Sequence, residues 1–235
     1  DTLPKKKFLE YADLVLCPSQ KTKKDLLNFY PLNEKKIKVV NIGISDINKQ
    51  KIKNDLIPTF PFILYVGYRG KYKNFKNLIT ALNINKKILN QFKLICFGGG
   101  KFSKEEKNFI HSKNIKLSSI IQLDGDDDKL AALYSSASAF IFPSIYEGQG
   151  LPQIEAMSFG CPVICSNHEA VVEATGDSAV LFNPLSAEDI AFKIENTLFS
   201  DTILNNLKKK SILRAKKFTM QRCFEETLLA YKEIT

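Results

Sequence analysis

At 235 residues, with 44% hydrophobic and 25% charged side chains, the chain has the composition of an ordinary globular protein, long enough for one full domain plus extra elements. No apolar run approaches the roughly 20 residues that a membrane-spanning helix needs, and no stretch resembles a signal peptide. The formal net charge of +9 favours anionic partners. Zinc-finger spacing, a single-strand RNA-binding signature and aromatic-basic interleaving are all missing, so nucleic acid is not expected.

The charge gathers in Lys5-Lys6-Lys7, Lys35-Lys36 and Lys208-Lys209-Lys210. Such runs are usually solvated faces, but an anionic membrane surface is a candidate partner at about 1 kcal/mol per well-placed cation. The five cysteines, Cys17, Cys96, Cys161, Cys165 and Cys223, fall mostly in apolar runs and read as small buried residues of a reducing cytosol. No second pair and no nearby histidine accompanies Cys161 and Cys165, so no metal site is expected there. The sequence begins at Asp1, and its two methionines are Met157 and Met220. A fragment, a processed product or a trimmed form is therefore expected.

In chain order, residues 14–17 read as a strand, Ser19 as a helix cap, 21–29 as a helix and 37–42 as a second strand that stops at Gly43. The polar stretch 45–61, with Pro58 and Pro61, reads as a linker. From Phe62 onward, short apolar runs alternate with amphipathic stretches. Residues 62–66, 92–97, 119–123, 139–142, 163–165 and 179–182 read as six strands. Between them, 75–89 carries Phe75, Leu78, Ile79 and Leu82 on one helical face, and Ser103 with Glu106 makes a capping box. Ser186 with Asp189 opens a helix bearing Ala187, Ile190, Ala191, Ile194 and Leu198. A last helix, 219–234, carries Phe224, Leu228 and Tyr231 on one face. This alternation predicts an α/β fold with a doubly wound, Rossmann-like parallel sheet, whose ligands bind beyond the carboxyl ends of the strands.

The residues just beyond each strand are therefore informative. After the first comes Gly67-Tyr-Arg69-Gly-Lys-Tyr-Lys73-Asn74, after the second Gly98-Gly-Gly100, after the third Asp124-Gly125, and after the fifth Ser166-Asn-His168-Glu169. Arg69 and Lys73 suit a diphosphate, the guanidinium gripping two oxygens and the ammonium acting as a point charge. Lys76-Asn77 offers a second register, and Lys73 is preferred because residues 75–81 then form the next helix. Gly98-Gly-Gly100 is weak support for nicotinamide, since the first strand-helix turn lacks the three-glycine fingerprint. Asp126-Asp-Asp128 reads as a helix cap, His111 as an exposed bystander and His168 as a bystander at the site edge.

The fourth strand leads into Phe142-Pro-Ser-Ile-Tyr-Glu147-Gly-Gln-Gly-Leu-Pro-Gln-Ile-Glu155-Ala-Met157. A strand, a glycine loop and a proline-started helix point free backbone N–H groups and the positive helix end at any phosphate or sugar hydroxyl above the sheet. Glu147 leaves the loop and Glu155 the first helical turn, so both can face one ligand. An acid in that turn is also favoured by the dipole alone.

This string resembles the donor-binding signature of the family 4 retaining glycosyltransferases of GT-B fold, Pro-Ser-x-x-Glu-Gly-aromatic-Gly-Leu-Pro-x-x-Glu-Ala-Met. It departs at Gln149. Residues 67–74 resemble the family's pyrophosphate motif, with Tyr68 inserted, and 8–43 resemble the last strand-helix-strand of its N-terminal domain. The resemblance implies residues 1–44 as a remnant of an acceptor domain, 45–61 as linker, 62–218 as a nucleotide-sugar-binding domain and 219–235 as a helix crossing back to the N-terminal domain. It implies hexosyl transfer from a UDP- or GDP-sugar to a glycan or lipid-linked acceptor, with no metal cofactor. From the cysteines and the charge a cytoplasmic location is expected, with the inner membrane face as a candidate peripheral surface.

By the same resemblance, Glu147, Arg69 and Lys73 carry the chemistry. Glu155 accepts from ribose hydroxyls, and the backbone of Gly148, Gln149, Gly150 and Leu151 holds the sugar and phosphate. Gly67 belongs to the pyrophosphate motif, while Gly98, Asp124 and Gly125 line the base pocket. Glu173 matches another acid of the family or ties down a loop. The rival expectation is a non-catalytic nucleotide-sugar-binding half of a split or truncated enzyme.

Overall fold

A computed structural model describes residues 3–45 and 54–234. The expected linker therefore lies in part, at 46–53, outside the described residues. Two units of sheet are present. In the first, helix α1 (Leu3–Tyr11) leads to β1 (Val15–Cys17), α2 (Gln20–Phe29) and β2 (Ile37–Val39), with β1 and β2 paired in parallel.

The second unit runs β3 (Phe62–Val66), α3 (Phe75–Ile84), α4 (Lys86–Gln91), β4 (Lys93–Phe97), α5 (Lys104–Ser112), β5 (Ile120–Leu123), α6 (Asp127–Ser136) and β6 (Ala139–Phe142). It continues through α7 (Leu151–Ser158), β7 (Val163–Ser166), α8 (Glu169–Thr175), β8 (Ala179–Phe182), α9 (Ala187–Leu198) and α10 (Asp201–Ala215) to α11 (Met220–Lys232). Its six parallel strands lie in the order β5-β4-β3-β6-β7-β8.

The strands are near-continuous apolar runs because both faces of the sheet are covered. Successive residues of one strand point to opposite faces. Ile63 and Tyr65 thus join Phe75, Leu78 and Leu82 of α3 and Ile190 and Ile194 of α9, while Phe62 and Leu64 join Leu133 of α6, Met157 of α7 and Ala215 of α10. A ten-residue helix such as α3 is marginal alone, so this packing is what holds it.

Several expectations shift. The helix expected over 75–89 breaks at Asn85. Its Oδ1 accepts from the Lys87 N–H, and its Nδ2 donates to Glu195 Oε2 at 2.6 Å, so the side chain replaces a helical turn. Helices α1 and α10 lie outside the expected elements, the first because Lys5-Lys6-Lys7 reads as a basic run. Pro152 is the second residue of α7, not the first, and Glu155 is its fifth, beyond the first turn expected for it. Strand β2 stops at Val39. Asp126 does cap α6, accepting from the Lys129 N–H, and Ser103 and Glu106 form the reciprocal capping box.

Helix α11 starts where Ile44 bridges to Thr219, and an ion pair between Lys38 and Glu233 joins its far end to β2. Phe224 and Tyr231 on its apolar face nonetheless stay exposed, at 62% and 51%.

Counted within the large sheet, the strand order is third, second, first, fourth, fifth, sixth. The direction of winding reverses between β3 and β6, and a doubly wound sheet opens its ligand crevice at that reversal. The segments 67–74 and 143–150 leave the sheet on either side of it.

Candidate active site

These two segments are stitched together by backbone and amide groups. Asn74, in a left-handed conformation with φ 58°, donates from Nδ2 to the carbonyls of Pro143 at 3.0 Å and Pro184 at 2.7 Å. The Ile145 N–H donates to Tyr72 O at 2.7 Å. Lys73, at the end of a single 3-10 turn, is thereby brought to Glu147, with Nζ 2.7 Å from Oε1. Both side chains are largely covered, at 15% and 12% exposure, and the ammonium also stands 5.3 Å from the Phe142 ring. A cation and an acid expected from separate strand ends thus meet across the reversal point. Lys76, the alternative register, instead lies against Phe109 of α5, 5.6 Å from its ring.

Arg69 is placed differently from Lys73. Its guanidinium lies over Phe102, donates from Nε to Glu106 Oε1 at 2.8 Å, from Nη1 to Gly98 O at 2.9 Å and from Nη2 to Gly100 O at 2.8 Å. Sequence reasoning assigns this cation to a diphosphate. In the fold it clamps the loop after β4, and a diphosphate here would have to displace Glu106 or a carbonyl. That loop needs its glycines: Gly99 has φ +71°, and a Cβ there would sit 2.7 Å from Gly67 O and 2.9 Å from Arg69 Nη1.

The expected base-pocket residues gather at the ends of β4 and β5, where the Gly98 N–H donates to Leu123 O and exposed Asp124 accepts from Gln122 Nε2 at 2.7 Å. Gly125 lies close over Lys129 and Phe97.

On the other side, Gly150 takes φ 85° and ψ 70° and turns the chain into α7. No side chain caps this helix start and Pro152 has no N–H, so the Leu151, Gln153 and Ile154 amides are left without a side-chain cap. Glu155, on the same helix, accepts a hydrogen bond from the Tyr134 hydroxyl at 3.0 Å. Burial pushes its carboxyl above the ordinary range, while the Tyr134 hydrogen bond opposes that shift. The folded state therefore holds a proton at Glu155 more readily than the unfolded chain does. Stability falls as pH rises from the ordinary carboxyl value through the raised one, and the deficit persists at neutral pH. Glu155→Gln is accordingly expected to raise the melting temperature at pH 7, by a margin that narrows at pH 4, as read by thermal unfolding.

Polar groups without partners surround the motif. Ser144 Oγ, Gln153 Oε1, Ser166 Oγ and His168 Nδ1 are buried and make no hydrogen bond, which in a native fold marks a place where a ligand or water completes the network.

The first unit closes against this region. Thr22 Oγ1 donates to Gly148 O at 3.1 Å, and the Tyr146 hydroxyl donates to Asp25 Oδ2 at 2.9 Å. Glu173 accepts from the Gln20 N–H at 3.0 Å, which ties α8 to the start of α2 with the carboxylate at that helix's positive end. Gln149, buried at 4% exposure, pairs its carboxamide with the backbone of Ile42, Oε1 accepting at 2.8 Å and Nε2 donating at 2.9 Å. His168 packs edge-on against Tyr146 at 5.1 Å, and burial lowers its pKa, which favours the neutral ring. Tyr134 and Thr22 escape the sequence reading, since a tyrosine in a helix or a threonine near a cap carries no distinctive signal.

Among the described residues, no three His, Cys, Asp or Glu side chains gather into a metal-binding group, and no helix is long and apolar enough to cross a membrane.

Comparison with known proteins agrees with this geometry. The chain is 26% identical over 234 residues to the O-antigen chain mannosyltransferase B of Escherichia coli, covering 95% of this chain and 61% of that protein. It is 28% identical over 221 residues to the N-acetylgalactosamine-N,N'-diacetylbacillosaminyl-diphospho-undecaprenol 4-alpha-N-acetylgalactosaminyltransferase of Campylobacter jejuni, covering 92% and 59%. The chain thus spans about three-fifths of each relative's length. The fold matches that of Anabaena HepE, solved in complex with UDP and glucose, with a TM-score of 0.84 at 18% identity over 96% of this chain and 65% of that one. The model of the family "Glycosyl transferases group 1" matches residues 46–217, and the chain, with its GT-B type doubly wound sheet, belongs to that family.

Proposed function

We propose that the chain is the donor-binding part of a retaining glycosyltransferase, which moves a hexose from a nucleoside diphosphate sugar to a hydroxyl of a glycan or lipid-linked acceptor. The observation that carries this is the Lys73–Glu147 contact of 2.7 Å at the winding reversal, beside the uncapped start of α7. As the bond between sugar and diphosphate breaks, negative charge grows on the leaving group. The Lys73 ammonium and the first amides of α7 are preorganised donors for that charge. Glu147 faces the sugar and holds Lys73 in place, Glu155 takes the ribose hydroxyls, and Arg69 keeps the loop 98–100 in shape. Attack by the acceptor on the face the diphosphate leaves retains configuration. In this reading the protein's cations do the work a metal would do.

Support for the acceptor comes from a cavity of about 520 Å³ between α1, α2 and Tyr146, lined by Lys5, Lys6, Phe29 and Tyr30. Aromatic faces for a sugar ring beside cations for a phosphate suit a lipid-linked glycan, and relatives named for O-antigen and undecaprenol-linked substrates favour the same class. The net charge of +9 is in keeping with work at an anionic membrane face. The exposed Phe8, Tyr11, Phe29 and Phe224 favour a second reading, in which this chain is a nucleotide-sugar-binding half that turns over only with a partner domain.

Titration calorimetry with UDP and GDP tests the donor site. One of the two should bind, and Glu155→Ala should weaken it at least about tenfold, or 1.4 kcal/mol. Binding of neither nucleotide would sink the donor reading.

A further inference from the structure

Gln149 is the one side chain between Glu147 and Leu151 that can anchor the loop, since its neighbours Gly148 and Gly150 have none. An extended residue presents its N–H and C=O on one side, and a neighbouring strand exchanges two hydrogen bonds with it. The Gln149 carboxamide makes this double exchange with Ile42, at 2.8 and 2.9 Å. Its own carbonyl accepts weakly from Gln153 Nε2 at 3.4 Å, and the adjacent Gly148 carbonyl accepts from Thr22 Oγ1 at 3.1 Å. Burying a carboxamide costs free energy unless its polar atoms are paired, and here one residue's backbone in the first unit pairs both ends.

We propose that Gln149 is a positioning residue: by docking its carboxamide on the Ile42 backbone it fixes the shape of Gly148–Leu151 and ties the donor loop to the segment after β2. The inference rests on the donor-site reading for its functional consequence, but its geometry is independent of it. A Phe or Leu at this position fills space and leaves the Ile42 backbone without that partner. A glutamate makes a sharper probe. Ionised, its second oxygen faces the Ile42 carbonyl with no proton to donate; protonated, the acid has the donor and acceptor pattern of the amide.

The test uses the full chain as Gln149→Leu and Gln149→Glu, read by amide exchange and backbone order parameters at pH 8 and pH 5. In Gln149→Leu the Ile42 amide should exchange at least about tenfold faster. Order parameters at Gly148 and Gly150 should fall from the rigid value of about 0.85 toward about 0.6. Gln149→Glu should behave likewise at pH 8 and return toward the wild type at pH 5, after correction for intrinsic exchange rates. UDP or GDP affinity, whichever binds the wild type, should drop about tenfold in step and recover with the proton. General unfolding would speed exchange throughout β3 to β8 and show no recovery at pH 5, which marks Gln149 as a packing residue and overturns the proposal. Unchanged Ile42 exchange in Gln149→Leu, or unchanged loop order, overturns it too. If the wild type binds neither nucleotide, the donor reading has failed, and exchange with order parameters still decides the role of Gln149.

Discussion

Arg69→Ala should cost the fold about 3–5 kcal/mol, the range for removing one partner of a buried ion pair. The side chain is 3% exposed against 21% for Glu106, and its loss breaks that ion pair and removes the donor to the carbonyls of Gly98 and Gly100. Glu106 is also the reciprocal half of the α5 capping box, accepting from both the Ser103 N–H and Arg69. The damage therefore spreads to the start of that helix. Arg69→Lys should recover little, because a point charge on a flexible stem cannot meet a carboxylate and two carbonyls in one plane. Urea unfolding checks this: the midpoint should fall while the denaturant slope stays near that of the wild type. The reverse outcome, a stable Arg69→Ala whose nucleotide affinity collapses, would mean that the guanidinium leaves its clamp to hold the diphosphate.

That contrast between Arg69 and Lys73 marks how far a sequence reaches. Strand runs such as 62–66 and 139–142 are legible because burial on both faces forces unbroken apolar stretches, and capping residues such as Ser103 and Ser19 announce helix starts locally. The glycine loop and Pro152 likewise carry their geometry in their own chemistry. Direction of a long side chain is another matter. Arg69 and Lys73 are four positions apart on one segment, yet one turns to the loop after β4 and the other to the loop after β6. Only the pairing of three strands determines which. Gln149 is legible as an oddity in the motif, but its partner lies 107 positions away, beyond any local pattern. Helix α10 is hard to read because its buried side consists of the scattered Leu207, Ser211 and Ala215, too small and polar to stand out as an apolar stripe.

On the proposed reading, Lys73→Ala should lower turnover of a UDP- or GDP-sugar by about 10²–10³-fold, the loss typical of removing one preorganised charge donor. Glu147→Gln separates two roles that the ion pair confounds. The Glu147 carboxylate holds the ammonium at 2.7 Å, and an incoming diphosphate must share or take that ammonium. With Gln at this position, free UDP or GDP meets less repulsion and should bind more tightly, while sugar transfer should slow if, as proposed, Glu147 faces the sugar. Lys73→Ala should instead weaken the same nucleotide. Opposite signs from the two halves of one pair identify Lys73 as the diphosphate's cation and Glu147 as its tether. Weakening by both substitutions would mean that the pair acts as a unit that merely shapes the loop. A double-mutant cycle on urea stability supplies the structural side, with an expected coupling of about 0.5–3 kcal/mol. A coupling near zero would leave the contact without consequence for folding, and only the nucleotide signs would then speak for its role.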